Sequence, residues 1–228
     1  MAGRDANPVR QRIAYCHEIL ESLGVAGAAE RVVLMPQDHR ELTDALARRP
    51  PFPPLRPAAA TGSVRLREPA ATAEAIRVLA DGLSPEGVVA GAGSPLGAVR
   101  VDKEVCTVCG TCATVCPAAA FAYEQTFEDV TLLLDPGGCV ACGTCVGACP
   151  EHAITVEQAT DLRALRRGRT VVKRGAMRRC ARCGNPVAPA AMIEKIRELL
   201  PGEHDRLYEV LADLCSDCRG LTRESGVS

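Results

Sequence analysis

The chain of 228 residues has no tryptophan, three phenylalanines and three tyrosines. A large aromatic core is excluded, so Leu, Val and Ala must fill whatever core forms. The histidines are scattered at His17, His39, His152 and His204, and no Ser/His/Asp set accompanies them. Nothing assembles a constellation for transforming a substrate, so no catalytic residue is assigned and the chain is not expected to be an enzyme by itself. No apolar run approaches the roughly 20 residues of a membrane span. Residues 1–12 are polar, without the apolar stretch of an export signal or a twin-arginine pair. A cytoplasmic location with no membrane partner is therefore expected.

Cysteine, by contrast, is plentiful: thirteen residues, eight of them in two runs of identical spacing. The first is Cys106-x2-Cys109-x2-Cys112-x3-Cys116-Pro117 and the second Cys139-x2-Cys142-x2-Cys145-x3-Cys149-Pro150. Disulfides would need an oxidising compartment. Zinc sites usually pair two CxxC units across a longer gap, whereas each run crowds three thiols together. No CxxC is followed by histidine, which excludes c-type haem attachment. The runs are halves of a repeat offset by 33 residues: Asp102 matches Asp135, Thr111 matches Thr144, Ala120 matches Ala153 and Glu124 matches Glu157. Gly110 and Gly143 follow the second cysteine of each run, where positive φ is expected. Phe121 and Tyr123 after the first run, and Ile154 and Val156 after the second, alternate with other residues as short strands do.

This doubled motif resembles the bacterial two-cluster ferredoxin family, in which such runs wrap 4Fe–4S cubanes. The resemblance implies two clusters and, because the fourth cysteine of each run crosses over, Cys106, Cys109, Cys112 and Cys149 on one. It implies Cys139, Cys142, Cys145 and Cys116 on the other. A segment longer than in minimal ferredoxins, Ala118 to Gly138, suggests a lengthened hairpin at Asp129 to Leu134.

Beyond this module, Cys180-x2-Cys183 and Cys215-x2-Cys218 frame about thirty residues, a zinc-site pattern. A single zinc is expected there, with iron, a third iron–sulfur centre or a redox dithiol as alternatives. Between the pairs, a helix opened by Pro189 would carry Met192, Ile193, Ile196, Leu199 and Leu200. A second would carry Leu207, Val210, Leu211 and Leu214.

Ahead of the repeat, a helix over 8–23 is predicted, capped by Asn7 and stopped by Gly24, with Val9, Ile13, Cys16, Leu20 and Leu23 as its stripe. Cys16 reads as a small buried hydrophobe, with His17 facing solvent. Arg31 to Met35 reads as a strand, and Asp38-x-x-Glu41 as a capping box opening a helix with Leu42, Ala45 and Leu46 inward. Five prolines in 50–57 mark a linker. A helix over 70–83, a strand at 87–90 and a glycine-rich loop at 91–97 follow. That loop lacks the order of a phosphate-binding motif.

The fold class is thus α+β. A small α/β unit occupies 1–100, and a ferredoxin-like module of two helices and short antiparallel hairpins occupies 101–160. A basic connector fills 161–179, and a CxxC–helix–helix–CxxC module fills 180–228.

Charge is uneven. Nine acids and one basic residue, Lys103, lie in 101–162, whereas nine basic residues and no acid lie in 163–193. That basic segment reads as a solvated loop, a strap across the acidic module or a docking surface. The order of segments is similar to iron–sulfur proteins associated with cytoplasmic formate dehydrogenases and hydrogenases. Leu23-Gly24-Val25, Arg100-Val101-Asp102, Arg182-Cys183-Gly184-Asn185-Pro186, Met192-Ile193-Glu194 and Leu214 to Arg219 carry the likeness. The N-terminal part resembles the delta subunit of methyl-viologen-reducing hydrogenases, without that subunit's additional cysteines.

The resemblance implies an electron-transfer subunit whose partners are a large catalytic oxidoreductase subunit or another redox protein, and a diffusible carrier. An accessory factor for assembling a metalloenzyme is the competing expectation. A metal-dependent nucleic-acid-binding regulator is the minor one, disfavoured because aromatics for base stacking are absent.

Overall fold

Proline and glycine punctuate the first helix where the sequence expects. In the computed structural model, which describes residues 8–33, 38–48, 69–81, 87–91, 93–199, 210 and 212–222, α1 (Pro8–Ser22) begins on a proline. Its missing N–H costs nothing in the first turn. The helix ends where the Gly24 amide bonds the Glu21 carbonyl at 2.8 Å and the Val25 amide bonds Leu20 at 2.9 Å, the two bonds of a Schellman stop. The buried face is Tyr15, Ile19, Leu20 and Leu23. This corrects the expected stripe: Val9 is 48% exposed and Cys16 is half-buried, because Tyr15 turns inward to bond Thr160. His17 is half-buried too, with Nε2 at 2.5 Å from the Val32 carbonyl.

The strand expected at 31–35 does not form in its described part. Ala28–Arg31 is a short helix, α2, of good helix formers. Helix α3 (His39–Ala47) opens as the capping pattern requires, with the Asp38 carboxylate accepting from the amides of Arg40 at 2.9 Å and Glu41 at 3.1 Å. Leu42 and Ala45 are half-buried, but Leu46 is exposed. Helix α4 (Pro69–Asp81) buries Ala73 and Ile76. Asn7, the 50–57 linker and the positions Met35, Leu83, Leu200, Leu207 and Leu211 lie outside the described residues.

The chain divides into two compact units that interleave along the sequence. One comprises Met1–Val99, Asp135–Cys142 and Val156–Gly168; the other comprises Arg100–Leu134, Gly143–Thr155 and Arg169–Ser228.

In the first unit, β1 (Val88–Ala90) lies antiparallel to the end of β5 (Ile154–Asp161, of which Val156–Asp161 belong to this unit), with Val88 opposite Asp161 and Ala90 opposite Ala159. Strand β2 (Gly97–Val101) borders β5 on its other side. Asp161 then caps α7 (Leu162–Arg167) by accepting from the Ala164 amide at 2.8 Å. Leu162 and Leu165 join Tyr15, Ile19, Leu23, Ile76, Val89 and Leu96 in one core. The glycine-rich 91–97 segment is a connecting loop pinned by buried Ser94, whose hydroxyl lies 3.0 Å from that of Thr160.

The second unit is built on a four-stranded sheet ordered β3 (Phe121–Gln125), β4 (Asp129–Leu134), β6 (Thr170–Arg179), β7 (Pro186–Pro189), with every neighbouring pair antiparallel. The lengthened hairpin is therefore β3–β4. The expected basic connector is corrected: its second half is β6, which pairs along β4 and buries Met177. Val130 and Leu132 of β4 are fully buried. Two short helices, α5 (Thr111–Val115) and α6 (Thr144–Ala148), pack on each other.

Strand β7 runs into α8 (Ala190–Leu199), so Pro189 ends a strand where a helix start was expected. In α8, Ile193 is buried but Leu199 is 69% exposed. A last helix, α9 (Ser216–Thr222), carries Cys218. Among the described residues, no helix is long and apolar enough to cross a membrane.

Candidate metal centres

Both cysteine runs adopt the same backbone. Gly110 and Gly143 take φ 79° and 73° just before α5 and α6, a left-handed conformation that costs a side-chain-bearing residue about 1 kcal/mol or more. Four non-glycine residues are left-handed as well, and they form two repeat-related pairs: Val108 with Ala141, and Ala119 with His152. For a β-branched valine this is a marked outlier, and such strain persists only where the surroundings over-determine it. The pattern folds each run into the same loop, in which Cys112 and its counterpart Cys145 are buried and Cys142 is exposed. The last sulfurs match too, Cys116 Sγ accepting from the Ala120 amide at 3.3 Å and Cys149 Sγ from Ala153 at 3.4 Å.

In the second unit, Cys106, Cys109, Cys112 and Cys149 line one cavity, whose walls include Val108, Leu132 and Ile154. Three of these cysteines come from one run and the fourth from the other. Burial, reinforced by the neighbouring Cys106 and Cys109, pushes the Cys112 thiol up to about 12. Burial also raises Cys106, partly offset by the Val108 amide and the Lys173 ammonium.

Crowded thiols that resist ionisation call for a cationic centre, because the thiolate is the ligand form. The Thr107 hydroxyl lines the same cavity, buried and without a hydrogen-bond partner among the described residues. A buried hydroxyl with no partner is uncommon, and a cluster's sulfurs would give it acceptors. Tyr123 lies against Gly110, so close that a Cβ there would sit 2.8 Å from its ring. The thiols, the orphaned hydroxyl and the apolar walls fit an iron–sulfur cluster. Of the other implied set, Cys139 and Cys142 fall in the first unit and Cys116 and Cys145 in the second.

The four C-terminal cysteines also converge. The sulfurs of Cys180, Cys183, Cys215 and Cys218 all lie within 4.8 Å of one another, and Cys183 and Cys215 approach to 3.5 Å. Gly184, at φ 77°, turns the first knuckle, its amide bonding the Cys180 carbonyl at 2.9 Å. The second knuckle is tied by the Ala181 amide to the Asp213 carbonyl at 2.8 Å, and by an Arg178–Asp213 ion pair at 2.9 Å. The Cys215 amide, above all, holds Cys180 down to about 6, while burial pushes Cys218 up to about 12.

Zinc–thiolate bonds of about 2.3 Å set tetrahedral sulfurs roughly 3.8 Å apart. The four sulfurs are therefore spaced for one metal ion. A cubane, with iron at alternate corners, holds its thiolates farther apart.

Sequence reasoning missed three participants: Thr107, the left-handed Val108 and Lys173. Only the basic run around Lys173 gave any signal, and nothing in the sequence says that it pairs with β4. None of the thirteen cysteines is joined in a disulfide.

The model of the 4Fe-4S dicluster domain family matches residues 98–150. That segment contains both runs, and the match supports an iron–sulfur protein of ferredoxin type. No curated protein matches the chain.

Proposed function

We propose that the chain relays single electrons through two 4Fe–4S clusters, as a subunit of an oxidoreductase complex of formate dehydrogenase or hydrogenase type. The observation that carries the reading is the convergence of Cys106, Cys109, Cys112 and Cys149, with the orphaned Thr107 hydroxyl, on one cavity. Each cluster, when bound, supplies the capacity to take up and release one electron. Around the cavity, Leu132 and Ile154 exclude water, and the Val108 amide is directed at the Cys106 sulfur.

We assign the second cluster to Cys139, Cys142, Cys145 and Cys116 on the doubled motif. The C-terminal tetrathiolate is assigned one structural zinc, on the spacing of its sulfurs. The partners proposed are a large catalytic subunit and a diffusible carrier, with a cytoplasmic location.

Anaerobic reconstitution followed by redox-poised electron paramagnetic resonance tests the reading. Two reducible low-spin signals are expected, together with about eight iron atoms per chain and one zinc. A protein that binds iron but yields no signal on reduction with dithionite would sink it. Co-purification addresses the accessory-factor alternative, which predicts association with only the immature partner.

A further inference from the structure

Repeat symmetry predicts that Cys106 and Cys139 have the same surroundings, and they do not. The Cys139 carbonyl accepts from the backbone amide of Gly97 at 2.9 Å. The Cys106 carbonyl accepts from the Lys173 ammonium at 2.7 Å. The same ammonium also reaches the carbonyl of Lys103, so it clamps both ends of the turn that leads into the first ligand.

Lys173 is delivered by β6, where it stands opposite Leu132, a wall of the thiol-lined cavity. The lysine is half-buried. Its surroundings suit a charge kept near the cavity better than one free in solvent, since a partly desolvated ammonium is screened less than an exposed one. The cavity has one acid in its lining, Glu151, which follows Cys149-Pro150. The repeat-equivalent residue after Cys116-Pro117 is Ala118.

We propose that Lys173 is a positioning residue for electron transfer: its fixed positive charge makes the centre held by Cys106, Cys109, Cys112 and Cys149 the easier of the two to reduce. The inference rests on the two-cluster reading above. An added electron increases the negative charge of the centre, so a nearby ammonium favours the reduced form. Glu151 opposes it from the lining of the same cavity; the ammonium sits on the backbone of the ligand Cys106 itself, and we take its effect as the larger. A unit charge roughly 10 Å from the centre, at an effective dielectric near 20, favours reduction by about tenfold. Tenfold corresponds to about 59 mV for one electron. The electron entering the pair therefore settles first on the Cys106 side.

The test is redox-poised spectroscopy on the full chain, reconstituted as wild type, Lys173→Met, Lys173→Arg and Glu151→Gln. One of the two reduction waves, the higher in the wild type, is expected to move down about tenfold in Lys173→Met while the other stays. Lys173→Arg should restore it, and Glu151→Gln should move the same wave upward. Waves that do not move, or that move together, overturn the proposal.

If Lys173→Met takes up no iron, the Arg and Gln variants decide: an unmoved upper wave in Glu151→Gln overturns the charge argument. A wild type that binds iron yet accepts no electron would instead sink the relay reading. Lys173 would then be judged by amide exchange across 103–109, where faster exchange in Lys173→Met supports the clamp and unchanged exchange refutes it.

Discussion

At the entry to one ligand loop, a lysine ammonium holds the carbonyl of Cys106; at the same point of the other, a neutral backbone amide holds that of Cys139. The loops themselves share glycine positions, left-handed residues and amide–sulfur bonds. Even their leading aspartates act alike, Asp102 accepting from the Glu104 amide and Asp135 from Gly137. The duplication thus preserves the backbone that presents thiols, whereas the packing behind each loop has diverged. One is backed by an added basic strand, the other by a short turn at Pro136–Gly138. Under the proposed relay, equivalent ligands with inequivalent neighbours would give an electron a preferred site, which two identical centres would not.

The largest expected effect comes from cutting the crossed ligands. Cys149→Ser should abolish the centre of the Cys106 loop and leave that of its own run, with iron content falling by about half. Cys116→Ser should do the reverse. Iron analysis with the Lys173-sensitive signal as marker reads this directly. If each serine removes the centre its own run surrounds, the crossing is wrong and the two loops are independent.

Next comes Gly97→Ala. A Cβ there would lie 2.7 Å from Cys139 Sγ and 2.9 Å from the Ala141 amide nitrogen. Backbone cannot retreat as a flexible side chain can, so over-packing of about 1–3 kcal/mol is expected. The damage should fall on the Cys139 half: heating should release iron first from the centre insensitive to Lys173→Met. Uniform loss from both halves would show that the two loops do not differ in this support.

A smaller effect contrasts the cluster cavity with the C-terminal site. Cys180 is lowered from 9.0 to about 6, so the fold's preference for its thiolate is complete above 9.0 and is lost as pH falls through about 6. Cys112 is raised to about 12 and stays a thiol at neutral pH. Cys218 of the C-terminal site is pushed as high as Cys112, so the order rests on Cys180 together with spacing: its four sulfurs lie within 4.8 Å of one another, and cobalt added to the metal-free chain at pH 7 should occupy that tetrathiolate first. Its affinity should fall about tenfold per pH unit for each thiol that must lose a proton. Loss of the thiolate–cobalt absorption in Cys215→Ser identifies the site; an absorption unchanged by that variant refutes the order.

These contrasts separate what a linear reading reaches from what it does not. The ligand loops were legible because their spacing is local: the glycines, the cysteines and Pro117 and Pro150 specify a turn within a dozen residues. The capping of α3 by Asp38 and the stop at Gly24 were legible for the same reason. Lys173 was not, because its role depends on β6 lying antiparallel to β4 with Lys173 at Leu132, a pairing across about forty residues. The stripe of α1 was misread by one position, since Tyr15 and Cys16 are both tolerable inside. The hydroxyls of Thr160 and Ser94, far along the chain, favour tyrosine. Arg31 stands in a helix because Ala28, Ala29 and Glu30 before it outweigh the β-branched pair Val32 and Val33 that follows.

The finest contrast is between the two glycines that precede α5 and α6. Alanine at either position must adopt positive φ, and this strain of about 1 kcal/mol is common to both. At Gly143 no heavy atom lies within 4 Å of the added Cβ, whereas at Gly110 the Tyr123 ring lies 2.8 Å away. Gly110→Ala should therefore destabilise the loaded protein more than Gly143→Ala, by about 1 kcal/mol or more for the displaced ring. Thermal unfolding of the two variants measures the difference. Adding Tyr123→Ala to each separates its origin: if the ring is responsible, the double variants show the same glycine-to-alanine cost. If the gap persists without Tyr123, the two loops differ in backbone strain, and the identity of their ligand geometry fails at its first glycine.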